Sequence, residues 1–281
     1  MHATRWSHFR RRMSARLLVY TTLAGAGLGI AAAALSHHPL YALYATGLVL
    51  AGMAIHQWSV AEDESEQEFF AGLAPRLGLE YMVSGALPPI TPLLSAGDSR
   101  LCEHVMEGPL FGKLGGPTCT LAHYQFSVTH ADGEHGRRQV PYHFTVCAMD
   151  VPEALPVFHG TYLRQHPAIH IPGLGGDWLA RAHAAEVDLE STDFEQLYEL
   201  RAAPDQDPLV LHRLFSPSFI VWLAEHPLRP GFECKAGELV VFIPEHEGDA
   251  DRLTLFHEAA REVTRRVVAA VEASRSLTPA A

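Results

Sequence analysis

The chain reads as an α+β cytoplasmic domain, mainly antiparallel strands plus a long C-terminal helix, behind an N-terminal two-helix transmembrane hairpin. Three observations predict this. Residues 17–35 and 40–58 form two runs of 19 residues without a charged side chain. A strict two-residue alternation appears in "CTLAHYQFSVTH" and "VPYHFTVCAMD". Near the C-terminus, Leu253, Phe256, Ala260, Val263, Val267 and Val271 recur three and four apart.

Charge divides along the chain in the same way. Residues 1–60 hold Arg5, Arg10, Arg11, Arg12 and Arg16 and no acidic residue, whereas residues 61–281 carry the other 16 basic side chains and all 32 acidic ones. The mean hydropathy of +0.03 averages over these two populations. An acidic body with only two lysines, Lys113 and Lys235, excludes nucleic acid as a partner, because phosphate binding needs clustered cations. Cys102, Cys119, Cys147 and Cys234 form no Cys-x-x-Cys pair. They are expected as buried thiols in a reducing compartment, although their even number leaves a disulfide open.

Taken in order, residues 1–16 are a basic cytoplasmic N-terminus. Each apolar run then matches the ~20 residues that a helix needs to cross ~30 Å of hydrocarbon. Neither shows the polar stripe of a soluble helix. Ser36, His37, His38 and Pro39 separate them as a turn. Arginines stay on the cytoplasmic side, so the turn is external and both termini lie in the cytoplasm, at the inner membrane. A cleaved signal peptide and a helical pair buried inside a soluble protein are the competing readings; the second run that follows at once counts against the signal peptide. Gly25 and Gly29 form a G-x-x-x-G, and Gly47 with Ala51 a looser pair, suited to helix contact within the hairpin or between two copies. The lipid bilayer is thus the partner of residues 17–58.

Residues 59–78 read as a charged juxtamembrane helix that Pro75 and Gly78 end. The α+β domain spans 79–275, with 276–281 as a tail. Its proline-rich start, "GALPPITPLLSAGD", resists regular structure. "LCEHVMEG" is a first strand, and the two alternating runs form an antiparallel hairpin around Asp132-Gly133. Further strands are expected at 168–172, 186–190 and 196–202. Asp207-Pro208 and Ser216-Pro217 each place a cap before a helix-starting proline. A strand pair turns at Ala236-Gly237, and the last helix runs over about 251–274. Strands first and helices late, without βαβ alternation, give α+β.

No catalytic, cofactor or metal residue is assigned by motif. The chain has 18 histidines, and a metal-assisted site would need several of His104, His123, His143, His159 and His170 to converge in the fold. The spacings of His130 with His135 and of His166 with His170 suit no ligand pair, and "FHEAAR" at His257 lacks the second histidine of His-Glu-x-x-His. "PEHEGDAD", with Glu245, His246, Glu247, Asp249 and Asp251, reads as a solvated acidic turn and helix cap rather than a calcium loop. "GPLFGKLGG" has three residues between its glycines and Leu114 after Lys113, so it is a turn and not a phosphate loop. "PGLGGDW" fails the dinucleotide spacing, and no G-x-S-x-G is present. Trp178 and Trp222 read as core aromatics.

"ESTDFEQLYELRAAPDQDPLVLHRLFSPSFIVWLAEHP", followed by "GFECKAGELVVFIPEHEGDADRLTLFHEAAREV" and preceded by "LAPRLGL", resembles a family of uncharacterised bacterial, actinobacterial-type proteins with two N-terminal membrane spans, grouped as a domain of unknown function. The resemblance covers residues 60–270 and implies the anchor but no activity. The expected function is therefore binding or scaffolding of an unknown protein partner at the cytoplasmic face of the membrane. A membrane-tethered, metal-dependent enzyme and an extracytoplasmic domain behind a signal anchor are the alternatives.

Overall fold

The structure is a computed structural model describing residues 23–25, 27, 31, 40–132, 136–166, 183–189 and 191–276. The chain divides into two compact units, Met1–Gly72 and Leu73–Ala281.

The first unit is dominated by α1 (Leu40–Leu77), one continuous helix of 38 residues that carries the apolar and the acidic stretches without a break. Leu40, Tyr44, Leu48 and Ile55 on its charge-free part are each more than 60% exposed. Thr46 Oγ1 donates to Gly25 O at 3.0 Å. A Cβ added at Gly25 would lie 3.6 Å from Thr46 Cα, an ordinary van der Waals contact. Among the described residues no helix is long and apolar enough to cross a membrane. The first expected span, with Gly29 and the turn at 36–39, lies almost wholly outside those residues. Pro75 does not end α1 as expected; it sits inside the last turn. Gly78 ends it with φ +77°, a left-handed conformation that glycine adopts freely. Leu79 N donates to Ala74 O at 2.9 Å and Gly78 N to Pro75 O at 3.2 Å, which satisfies the terminal carbonyls.

The second unit is α+β around a nine-stranded, wholly antiparallel sheet. Its strands are β1 (Glu80–Ser84), β2 (Ser99–Pro109), β3 (Thr118–Asp132), β4 (Gly136–Asp150), β5 (Thr161–Gln165), β6 (Ala185–Glu186), β7 (Tyr198–Ala202), β8 (Gly231–Lys235) and β9 (Glu238–Pro244). They lie in the order β1-β2-β3-β4-β9-β8-β5-β7-β6. The helices are α2 (Pro92–Ser95), α3 (Thr192–Leu197), α4 (Pro208–Leu214), α5 (Pro217–Glu225) and α6 (Ala250–Arg275).

The expected hairpin is present, with β3 and β4 in register from Cys119–Met149 to Asp132–Gly136. The turn between β8 and β9 has Ala236 at φ 52° and Gly237 at φ 81°, both left-handed as a tight hairpin requires. Two expected strands are shorter than the alternation suggested. Of the described residues in 186–190 only Glu186 lies in a strand, and Gln196 and Leu197 belong to α3. Ser191 followed by Asp193 and Glu195 is a helix-start pattern, and it overrides the strand tendency of the residues after it. The strand expected at 168–172 lies outside the described residues.

Alternation gives the sheet two faces. On one, Ala122, Tyr124, Phe126, Phe144, Val146, Val240 and Phe242 pack with Leu93, Leu94 and Ala96. The proline-rich stretch is thus a cover whose short α2 buries both leucines completely. The opposite face carries Cys119, Leu121, Cys147, Met149 and Val241, all buried. There Thr264 Oγ1 of α6 contacts Met149 Sδ at 3.0 Å. Phe215 and Phe219 meet Phe232 on the same face, with centroids 5.9 and 6.4 Å apart.

Candidate functional site

Beyond strand-to-helix packing, the α6 face of the sheet holds a patch of four imidazoles. β2 contributes His104, β3 His123, β4 His143, and the loop before α6 contributes His246. Ring centroids lie 5.5 Å apart for His104 and His123, 4.4 Å for His123 and His246, and 4.7 Å for His143 and His246. Three of the five histidines named from the sequence therefore converge. His159 lies elsewhere, its Nδ1 2.9 Å from Asp205 Oδ2, and His170 is outside the described residues. His246, noted only as part of an acidic turn, supplies the fourth ring.

Backbone geometry delivers two of these rings. The β2–β3 register shifts between Glu103 and Met106, and His104 sits in that bulge at φ 50°. Glu245, just before His246, has φ 68°. Left-handed non-glycine residues are uncommon and cluster at functional sites. Thr145 then fixes the loop, since its Oγ1 donates to Glu245 O at 3.0 Å and accepts from Glu247 N at 2.8 Å. His123 Nε2 donates to Glu247 O at 2.9 Å and His246 Nε2 to Tyr124 O at 3.3 Å, while Tyr81 OH lies 3.1 Å from His104 Nδ1. Asp249 caps α6 by accepting from the backbone N–H groups of Asp251 and Arg252, both at 3.0 Å. Burial is the largest influence on His246 and lowers its pKa; His143 and His104 lower it further, against the Tyr124 carbonyl and Glu245.

This is not a ligand set for a metal. The His123 and His246 rings are stacked at 13°, so their in-plane lone pairs run side by side rather than meeting. Among the described residues no group of three or more His, Cys, Asp and Glu side chains is arranged to hold an ion.

Farther along the same face lie two buried free thiols, Cys119 and Cys147, beside His257. A hydrogen bond from Cys147 is the main reason the Cys119 thiol falls to about 6 despite burial; His257 and Arg261 add to the effect. Cys147 moves well upward as the partner that keeps its proton. Cys102 and Cys234 are also free and buried.

A cleft of about 500 Å³ opens between the C-terminal half of α6 and the loops at 111–117 and 150–153. Phe111, Val151, Pro152, Val268 and Ala269 supply apolar walls, and Asp150, Glu153 and Glu272 bring carboxylates. Gly116 shapes one wall: at φ 93° its added Cβ would stand 2.4 Å from Phe111 Cδ2. The glycine-rich "GPLFGKLGG" is thus a turn, as expected, and it borders the cleft. Arg265 lies over the Phe111 ring, 5.7 Å from its centroid, and is paired with Glu262.

No protein-family model matches the chain. No curated protein sequence matches it either. Among solved structures it is similar to the crystal structure of the mycobacterial trehalose monomycolate transport factor A, TtfA, with 12% identity, a TM-score of 0.43, and coverage of 77% of this chain and 98% of that one. At that level the likeness carries no statement about function.

Proposed function

We propose that this chain is a membrane-anchored binding protein. In this reading residues 17–58 lie in the lipid bilayer, both termini are cytoplasmic, and the α+β body takes a ligand with an apolar body and a cationic head. The observation that carries the binding role is the cleft beside α6. A concave, mostly apolar site with a few convergent polar groups is the usual form of a ligand pocket. Its one arginine is ion-paired with Glu262, which Arg266 also engages, whereas three carboxylates, Asp150, Glu153 and Glu272, enter no ion pair among the described residues. The unbalanced charge is therefore negative, and it favours a cation.

The anchor is supported by the two charge-free runs, by the arginines before them, and by the exposed Leu40, Tyr44, Leu48 and Ile55. Such a stripe is costly in water and favourable in hydrocarbon. The proposal includes membership of the two-span actinobacterial-type family and helix contact through Gly25 and Gly29, within the hairpin or between copies.

Binding is tested by calorimetry of the full chain with a dodecyl ammonium, a dodecyl sulfate and a neutral dodecyl glycoside below their micellar concentrations. The ammonium is expected to bind at least tenfold tighter than the sulfate, and Val268→Trp is expected to abolish binding by filling the cleft. Equal affinity for the three probes, or unchanged binding to Val268→Trp, refutes the ligand class. Topology is tested separately with reporter fusions after residues 38 and 60: a cytoplasm-only reporter that stays dark at residue 60 refutes the orientation.

A further inference from the structure

The imidazole patch is independent of the cleft, and its geometry sets how it takes up protons. Backbone carbonyls only accept, so His123 and His246 each hold a proton on Nε2 toward Glu247 O and Tyr124 O. A further proton must therefore go to Nδ1. It leaves both hydrogen bonds in place and adds a positive charge to a stack of rings 4.4 Å apart. His143 meets the same ring edge-on, and His104 meets His123 edge-on. The first cation thus opposes the second on every neighbouring ring.

The surrounding charges act in both directions. On the loop, Glu247 already binds Arg252 Nε at 2.5 Å and accepts from Asp249 N at 3.1 Å. Asp249 is occupied as the cap of α6, whose positive N-terminal end also disfavours a nearby cation. Glu245 is the loop carboxylate that favours protonation of His246. From the sheet come the exposed Glu103 on β2, opposite His123, and the phenol of Tyr81 on β1, whose OH is at His104. Arg252 of α6 is the cation that pairs with Glu247, so the two together add no net charge.

We propose that His104, His123, His143 and His246 form a proton-operated latch: neutral, they hold the loop at 245–249 and the start of α6 onto the sheet, and filled with protons they release it. Two features make this loop the part that yields. It joins the sheet through Thr145, the two imidazole hydrogen bonds and one backbone bond from Glu245 N to His143 O at 2.9 Å, and it leaves β9 through the left-handed Glu245. Local opening draws on such lightly held, strained segments before the core. His123 itself is largely covered and cannot escape the charge by turning into water.

The test is histidine-resolved NMR and amide hydrogen exchange on the full chain between pH 8 and pH 5. The ring of His246 is expected to titrate below the usual histidine value, with a slope shallower than that of one independent site. Amides at 245–253 are expected to lose at least tenfold protection at pH 5 relative to pH 7.5, after correction for intrinsic exchange. His246→Asn keeps a donor toward Tyr124 O without a titrating charge, and His143→Gln removes a repelling neighbour. Each is expected to retain protection at pH 5. The latch is overturned if protection at 245–253 does not depend on pH, or if both variants lose protection as the parent does.

Discussion

Glu238 opens β9 opposite Asp150 and Lys235, only 2% exposed, and its Oε2 has no hydrogen-bond partner among the described residues. Burial, then the charges of Asp150 and Glu233, push its carboxyl up to about 7. A carboxyl raised in this way is neutral in the folded protein and ionises more readily when unfolded. Its contribution is therefore fully present below the ordinary carboxylate value and is lost as pH rises toward 7. Glu238→Gln is expected to raise stability by roughly 2–3 kcal/mol at pH 8 and to change it little near pH 4. Urea unfolding midpoints at the two pH values check this, and an equal shift at both contradicts it. At Gly116, replacement by alanine adds a Cβ to a left-handed residue and drives it into Phe111. Gly116→Ala is expected to cost roughly 1–3 kcal/mol and to weaken binding in the cleft, read by thermal unfolding and by titration with the ammonium probe. Little of this was legible in the sequence. The histidines were visible, but the bulge that turns His104 toward His123 has no residue signature, and neither does the left-handed Glu245 that presents His246.

At the scale of elements, residue patterns were more informative. Asp207 caps its helix as its position suggested, accepting from Leu209 N at 2.9 Å, and in the acidic turn read as a helix cap it is Asp249 that caps α6. Ser216 precedes an equally well-placed proline, yet its hydroxyl makes no cap hydrogen bond and lies 3.3 Å from Ser218 Oγ. Asp207→Ala is therefore expected to destabilise the protein by about 1 kcal/mol, and Ser216→Ala by no more than a few tenths. Thermal melts of the two variants side by side separate them; equal losses contradict the assignment. Period-two alternation located β3 and β4 because both faces of that hairpin are distinct. It overran into α3 because "STDFEQ" carries a stronger local helix signal than the residues that follow. The proline-rich segment 85–98 had no period to read. Its role as a cover over Tyr124 and Phe144 depends on strands that pair far along the chain.

For the whole molecule, the two cores of the sheet determine what the body needs to fold. The cover segment, the strands and α3 to α6 all come from the second unit. The large buried residues of the α6 face, including Phe232, Phe219 and Phe256, come from there too. The charge-free half of α1 instead exposes Leu40, Tyr44, Leu48 and Ile55, which in the proposed reading face hydrocarbon. A chain starting at residue 59 is therefore expected to leave the membrane fraction while keeping one cooperative unfolding transition within about 3 °C of the full chain in detergent. It is also expected to bind the ammonium probe with unchanged affinity, since no cleft residue precedes Phe111. Membrane retention of this truncated chain would move the anchor into the body. Loss of the cooperative transition would show instead that residues 1–58 belong to the folding unit, because a sheet with both faces covered from within has no other reason to need them.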